Sequence, residues 1–228
     1  MDYKIEQNGY TESIIVDLNP GEHIYTQPGA LIASRGDIKI EVETITKSLL
    51  QSFKSVFVGG ESLFKNRIDA IQKAELVVGG VVGKIVKIDL DGSPLYINDG
   101  AYLAHIGEIE FNYELTGKGW DIIVKGLTTS AGFFIGKITG RGTIFLEAQG
   151  GVREYNLLPN EILLVDNMNF ICTDIDWKEK TSIVSPNKGI KSSLFSGEGV
   201  FIKFVGPGKV WVNSRNIPGI YHSKDQQV

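Results

Sequence analysis

The feature that most constrains this chain is a short pattern that occurs three times, at intervals of about 70 residues. Residues 25–33 and 96–104 share the order Tyr, two residues, Pro or Asp, Gly-Ala, two apolar residues and Ala. A weaker copy at 157–172 ends on Cys172, where the first two end on alanine. Self-similarity at a fixed period indicates one supersecondary unit repeated along the chain. We therefore predict one domain of 228 residues built from three tandem β-repeats, at about 1–80, 81–150 and 151–228.

A second pattern, a glycine turn next to an alternating strand, recurs downstream of the first. Residues 54–64 align with 191–201, and Gly-Arg-Gly at 140–142 aligns with Gly-Pro-Gly at 206–208. Glycine supplies the positive φ of tight hairpins, so both Gly-x-Gly segments are predicted to be hairpin turns. The motif turn residues are Gly60, Glu61, Gly197, Glu198, Gly199, Gly206 and Gly208.

Period-two alternation and frequent turns indicate the fold class. Residues 37–43 place Ile38, Ile40 and Val42 on one face and polar residues on the other, which is typical of a half-buried strand. Turn residues, among the 27 glycines, interrupt such runs at the spacing of an all-β sandwich or barrel. We predict an all-β fold.

One segment departs from this alternation. In residues 46–58 the apolar side chains recur at helical spacing, and Gly59-Gly60 follows as a stop. We predict an inserted amphipathic helix there and a shorter helical turn at 188–195. The helix's apolar stripe is our candidate interaction surface, packed either on the chain's own sheet or on a partner. The stripe consists of Leu49, Leu50, Phe53, Val56 and Phe57.

Charge and composition disfavour several classes of protein. Lys and Arg number 23 against 27 Asp and Glu, and the five arginines are scattered, which disfavours a nucleic-acid partner. The polar N-terminus and the absence of an apolar run of about 20 residues predict no signal peptide and no integral membrane segment. The single cysteine cannot form an internal disulfide. We expect a cytoplasmic protein.

Residues able to carry chemistry are isolated in the sequence. His23, His105 and His222 lack the close spacing of metal ligands, so we predict no metal and no cofactor. No Gly-x-Ser-x-Gly occurs, and the alignment of Cys172 with alanines predicts a small packed residue rather than a nucleophile. The glycines at 79–83 lack the spacing and hydroxyl of a phosphate-binding loop.

Glu61 and Glu198 recur at matching positions after glycine. They could form a paired-carboxylate site, or each could accept backbone N–H groups of its own turn. We favour the local role and predict no catalytic residue.

These motifs resemble one family over about Val16 to Arg215. The Pro-Gly-Glu opening at 20–22, Asp-Gly-Ala-Tyr-Leu-Ala at 99–104 and Lys-Ser-Ser-Leu-Phe-Ser-Gly-Glu-Gly at 191–199 are similar to the "altered inheritance of mitochondria" proteins and their prokaryotic relatives. The resemblance implies a β-sandwich of double-stranded β-helix type, like the tryptophan RNA-binding attenuator protein (a TRAP-like fold). It also implies a link, in mitochondrial members, to inner-membrane organisation, and no established catalysis. The chain departs from the family at 49–57 and lacks Gly-x-Gly after Phe64.

Fold analogy does not transfer the function of a tryptophan and RNA binder. Our leading hypothesis is a non-enzymatic scaffold or interaction protein that forms a homo-oligomer and could take a further protein partner. The alternative is a small-ligand binding β-barrel with an apolar pocket. A hydrolase or oxygenase is disfavoured by the missing ligand and nucleophile patterns.

Overall fold

The computed structural model describes residues 1–44, 64–80, 83–113, 135–184 and 201–214. The first eight strands are β1 (Asp2–Asn8), β2 (Thr11–Leu18), β3 (His23–Thr26), β4 (Leu31–Arg35), β5 (Ile38–Thr44), β6 (Phe64–Ala70), β7 (Ala74–Gly79) and β8 (Gly83–Asp91). The others are β9 (Leu95–Asn98), β10 (Tyr102–Tyr113), β11 (Ile135–Gln149), β12 (Val152–Leu157), β13 (Ile162–Asp166), β14 (Phe170–Thr173), β15 (Thr181–Val184), β16 (Phe201–Val205) and β17 (Gly208–Asn213).

The predicted all-β fold is confirmed. Helical structure in the described ranges is limited to α1 (Trp177–Lys180) and two 3₁₀ turns, Asp99–Ala101 and Asn167–Asn169. The Asp176 side chain caps α1 by accepting from two backbone N–H groups. The helices predicted at 46–58 and 188–195 lie outside the described residues.

The strands pair in the same way three times. Each time, six strand segments that we call a to f in chain order form two antiparallel half sheets, a–f–c and b–e–d. Segments a to f are β2 to β7 in the first repeat and β12 to β17 in the third. In the second repeat a is β8, b is β9, c and d are the two halves of β10, and e and f are the two halves of β11.

Successive repeats join through backbone pairing between segment b of one repeat and segment c of the next. At the first junction Ala104 pairs with Thr26 and His105 with Tyr25. At the second junction Cys172 pairs with Ile97 and Thr173 with Tyr96. The motif alignment makes these residues equivalent, so the two junctions share one register.

Each junction merges two half sheets into one larger sheet. The first has the order β5-β6-β3-β10-β11-β8, and the second has the order β10-β11-β9-β14-β17-β12. Two half sheets are left at the ends of the series, β1-β2-β7-β4 and β13-β16-β15. The described residues therefore form two completed junction sheets and two half sheets that have no such junction.

Among the residues that the structure describes, the buried side chains form three clusters that follow the repeats. Leu103 and Ala104 of the second repeat lie in the first cluster, and Ile171 and Cys172 of the third repeat lie in the second. All four are fully buried. Burying a large aliphatic side chain such as Leu103 stabilises a fold by about 1.5–3 kcal/mol, so segment c of each later repeat helps to hold the repeat before it.

The predicted hairpins at the Gly-x-Gly segments are wrong, although their equivalence holds. Gly140 and Gly142 lie inside β11, and the segment at 206–208 connects β16 to β17, which belong to different sheets. Both therefore mark the passage from segment e in one sheet to segment f in another. A Cβ at Gly140, where φ is +117°, would meet the Glu108 carbonyl oxygen at 2.1 Å. Glycine is needed there because the backbone of β10 approaches Gly140 too closely for a Cβ, and because φ is positive.

Candidate functional site

The outer edge of β4 is one half of the candidate site. Within the described ranges β4 pairs only with β7, whereas the equivalent segments in β10 and β14 also pair with the preceding repeat. Ile32 is consequently 63% exposed, while its equivalents Leu103 and Ile171 are both 0% exposed. Ala33 and Ser34 are exposed as well. Ile32 is thus an apolar side chain on an unpaired strand edge, at a position that is buried in the other two repeats.

The outer edge of β13 is the other half. In the part of the chain that the structure describes, β13 pairs only with β16. Leu164 is 54% exposed, and the equivalent Tyr96 in the second repeat is 5% exposed. Ile162 is also exposed, at the start of the same strand. Segment b of the third repeat therefore has the uncovered edge that segment c of a following repeat covers elsewhere.

The first completed junction shows what such an interface contains. His105 is buried there, and its Nδ1 is hydrogen-bonded to the Tyr102 hydroxyl at 2.7 Å. The imidazole stacks on the Tyr25 ring with centroids 4.6 Å apart, and Lys65 Nζ lies 3.8 Å from the centre of that ring. Among the described residues, His105 Nε2 and Thr26 Oγ1 have no hydrogen-bond partner.

The electrostatics of this cluster favour neutral side chains. Burial holds the pKa of His105 well below its ordinary value, and electrostatic interactions with Lys65 and with His23 lower it further. Burial likewise raises the pKa of Tyr102 well above the ordinary value. The pKa of Lys65 is lowered by burial, against the opposing effect of Glu43, whose carboxylate lies 3.6 Å from Nζ. The neutral, buried pair of His105 and Tyr102 is compatible with a packed junction between repeats.

Of the other residues that the sequence singled out, His23 lies close to His105 in the structure. His23 lies on β3 at the same junction as His105, with its ring 5.3 Å from the Tyr25 ring. Within the described ranges no three of the His, Cys, Asp and Glu side chains come together as a metal site. His222 lies outside the described residues.

Cys172 lies at the second junction, on β14. It is fully buried, as predicted for a small packed residue. Burial raises the pKa of its thiol well above the ordinary value, and Asp174 and Glu154 raise it further. A thiol of this kind stays protonated and is a poor nucleophile.

The predicted interaction stripe lies outside the described residues, as do most of the motif turn residues. Those residues are Leu49, Leu50, Phe53, Val56, Phe57, Gly60, Glu61, Gly197, Glu198 and Gly199. Gly206 and Gly208 are described and flank the passage from β16 to β17. Our sequence reasoning missed the open edges of β4 and β13. The motif alignment contained the signal, since it makes β4 and β13 equivalent to strands that pair with a neighbouring repeat.

Together these features define an antiparallel all-β protein of repeated half sheets with strand-edge junctions. The chain belongs to the mitochondrial biogenesis AIM24 family, whose model matches residues 3–215. It is 23% identical over 225 residues to an uncharacterized protein of Streptococcus pyogenes serotype M6, covering 95% of this chain and 87% of that one. It is also similar to the crystal structure of protein SPYM3_0169 from Streptococcus pyogenes, with a TM-score of 0.72, 24% identity and 94% of each chain covered.

Among the described residues, no helix has the length and apolar character needed to cross a membrane.

Proposed function

We propose that this protein is a non-enzymatic scaffold of the cytoplasm that works as a homo-oligomer and offers its assembled surface to a further protein partner. The observation that carries the proposal is the pair of open, apolar strand edges, β4 and β13, in a chain whose equivalent strands are covered. Exposed strand edges present unpaired N–H and C=O groups to any chain that can add a strand.

β4 and β13 have few of the features that usually prevent an exposed strand edge from pairing with another chain. Each strand carries one charged residue, Arg35 at the end of β4 and Asp166 at the end of β13. Proteins commonly block such edges with several charges, a proline or a bulge. The one bulge present, between Leu31 and Ala33, recurs in β10 and β14, where the outer edge is nevertheless paired. The bulge is therefore compatible with strand addition.

The state of the reactive side chains supports a non-enzymatic role. His105 and Cys172 are described residues of types that can act as a base or a nucleophile, and both are fully buried. Burial shifts the pKa of each toward its neutral form, so neither is activated. Both belong to junctions between repeats, where packing explains their position.

The proposal is tested by measuring the molar mass with light scattering coupled to size exclusion, over about two orders of magnitude in protein concentration. A homo-oligomer gives a mass above the 25.0 kDa of one chain, rising with concentration. The alternative function, a small-ligand binding β-barrel, predicts the mass of one chain throughout and a thermal shift in a small-molecule screen. That combination of results would contradict the proposed scaffold.

A further inference from the structure

We infer that the first junction is an acid-sensitive contact between repeats, which opens when His105 takes up a proton while the second junction stays closed. This inference goes beyond the proposed function, since it concerns a contact within one chain. Opening releases the pairing of Tyr25 with His105 and of Thr26 with Ala104, and so frees the facing edges of β3 and β10.

The site of the His105 imidazole suits only its neutral form. The ring is fully buried, at centroid distances of 4.6 Å from Tyr25 and 5.4 Å from Phe111. Its Nδ1 is hydrogen-bonded to the Tyr102 hydroxyl at 2.7 Å, and its Nε2 has no partner among the described residues. A protonated imidazole donates from both nitrogens, so the cation would hold a buried N–H group that no described residue accepts.

The charged groups around His105 do not supply the missing acceptor. On neighbouring strands, the groups that interact electrostatically with His105 or with the Tyr25 ring are His23 on β3, Lys65, Arg67 and Asp69 on β6, Glu43 on β5 and Glu108 on β10. Glu43 lies 3.6 Å from Lys65, and Asp69 lies 2.8 Å from Arg67, so both carboxylates are engaged with other cations. Within the described ranges, none of these carboxylates is hydrogen-bonded to His105.

Opening the junction removes the obstacle to protonation. Burial first, and then electrostatic interactions with Lys65 and His23, lower the pKa of His105 in the closed junction. An imidazole that is solvated in the open junction has a pKa of about 6.5. Below that pH, the equilibrium between closed and open junction therefore shifts toward the open form by about tenfold per pH unit. Protonation of Glu43 in stronger acid leaves Lys65 unopposed and acts in the same direction.

The second junction has no imidazole at the equivalent position. Thr173 takes the place of His105 there, and its hydroxyl donates to the Lys209 carbonyl at 2.6 Å. Cys172 is paired beside it, and burial raises the pKa of its thiol, which is therefore already protonated at neutral pH. Neither side chain gains a charge in mild acid. Acid should thus act on one junction of the same molecule and leave the other as an internal reference.

Thiol labelling at the two junctions tests this inference without denaturant. Thr26→Cys places a thiol on β3 at a fully buried position, where the replaced Oγ1 has no partner among the described residues. The natural Cys172 reports on the second junction. A dipyridyl disulfide reacts with thiols in acid, and peptide mass spectrometry then gives both labelling rates between about pH 7.5 and about pH 5. Dividing by the rate of Tyr10→Cys, whose position is 95% exposed, removes the pH dependence of the reagent itself.

The corrected rate at residue 26 should rise by about tenfold per pH unit below about pH 6.5, while the rate at Cys172 stays constant. The rise should be absent when His105→Gln is added and should remain when His23→Gln is added. Equal acceleration at both thiols, no rise at residue 26, or a rise that persists in His105→Gln would overturn the inference. If circular dichroism shows that Thr26→Cys does not fold, Ala104→Cys places the reporter on the paired strand, at the position equivalent to Cys172.

Discussion

The ring of His105 stacks on the ring of Tyr25, with centroids 4.6 Å apart, across the strand pair that joins the first repeat to the second. At the second junction Tyr96 and Thr173 occupy the same positions, and the Thr173 hydroxyl donates to the Lys209 carbonyl at 2.6 Å. The side chains differ while the backbone register is unchanged. The junction is therefore defined by strand pairing, and the side chains adapt to it.

Tyr102→Phe tests the hydrogen bond that holds the His105 ring. The substitution removes the hydroxyl 2.7 Å from Nδ1 and leaves a buried imidazole nitrogen without its partner. An unsatisfied buried polar group costs about 1–3 kcal/mol, so the free energy of unfolding in a urea titration should fall by that amount. Tyr10→Phe, at an exposed position, should leave it unchanged. Equal stability of the two variants would mean that the Tyr102–His105 bond contributes nothing.

Stability should fall in mild acid because of His105. Its pKa is lowered in the folded protein, so the unfolded chain binds the proton more readily. Above the unfolded pKa of about 6.5, His105 is neutral in both states and does not lower the free energy of unfolding. Below that pH the unfolded chain takes up the proton, so the free energy of unfolding falls progressively. Urea titrations at about pH 7.5 and pH 5.5 should show this loss in wild type and a smaller one in His105→Gln. The same pH dependence in both proteins would assign the effect to other groups.

Gly140→Ala tests the close approach of β10 to β11. A Cβ at this position lies 2.1 Å from the Glu108 carbonyl oxygen, and φ is +117°. Both strands must shift to accept it, so we expect a loss of at least about 4 kcal/mol or failure to fold, seen by circular dichroism and urea unfolding. Gly9→Asn is the control, since φ there is +66°, a region that asparagine tolerates, and no atom lies within 4 Å of the added Cβ. A Gly140→Ala protein as stable as this control would contradict the close approach of the strands.

The Cys172 thiol should be protected in the native protein. It is fully buried with a raised pKa, so a thiol reagent should label it only when the second junction opens. We expect Cys172 to be labelled slowly in buffer and faster as urea is raised through the unfolding transition. Mass spectrometry measures the extent of labelling. The added thiol of Tyr10→Cys should react at once in the same sample. Labelling of Cys172 as fast as this exposed thiol would show that the junction is open in solution.

The sequence predicted the all-β class because alternation in segments such as 37–43 is a local property. It predicted hairpins at Gly140 and Gly206 because a Gly-x-Gly segment has the same local sequence pattern in a tight turn and in a segment where the chain crosses from one sheet to another. Only the pairing of β11 with both β9 and β8 separates these two structures.

The open edge at Ile32 could not be read from local sequence. Ile32 and Ile171 are the same residue type in equivalent positions, yet one is exposed and the other is buried. The difference is that β14 pairs with β9 of the preceding repeat, whereas β4 pairs only with β7 among the described residues, and such long-range pairing is not a local property of the sequence.

The most direct test of the proposed self-association through the open edges of β4 and β13 is the mass of a mixture of two variants, each altered at one of these edges. Ile32→Asp would place an unpaired carboxylate in the junction core and disable β4, and Leu164→Asp would disable β13. Both positions are exposed in the single chain, so each variant should fold and have the mass of one chain by light scattering. Each keeps one intact edge, so the equimolar mixture should form a dimer of about twice the chain mass and no larger species. A mixture that stays at the mass of one chain, or single variants that assemble as wild type does, would contradict the account.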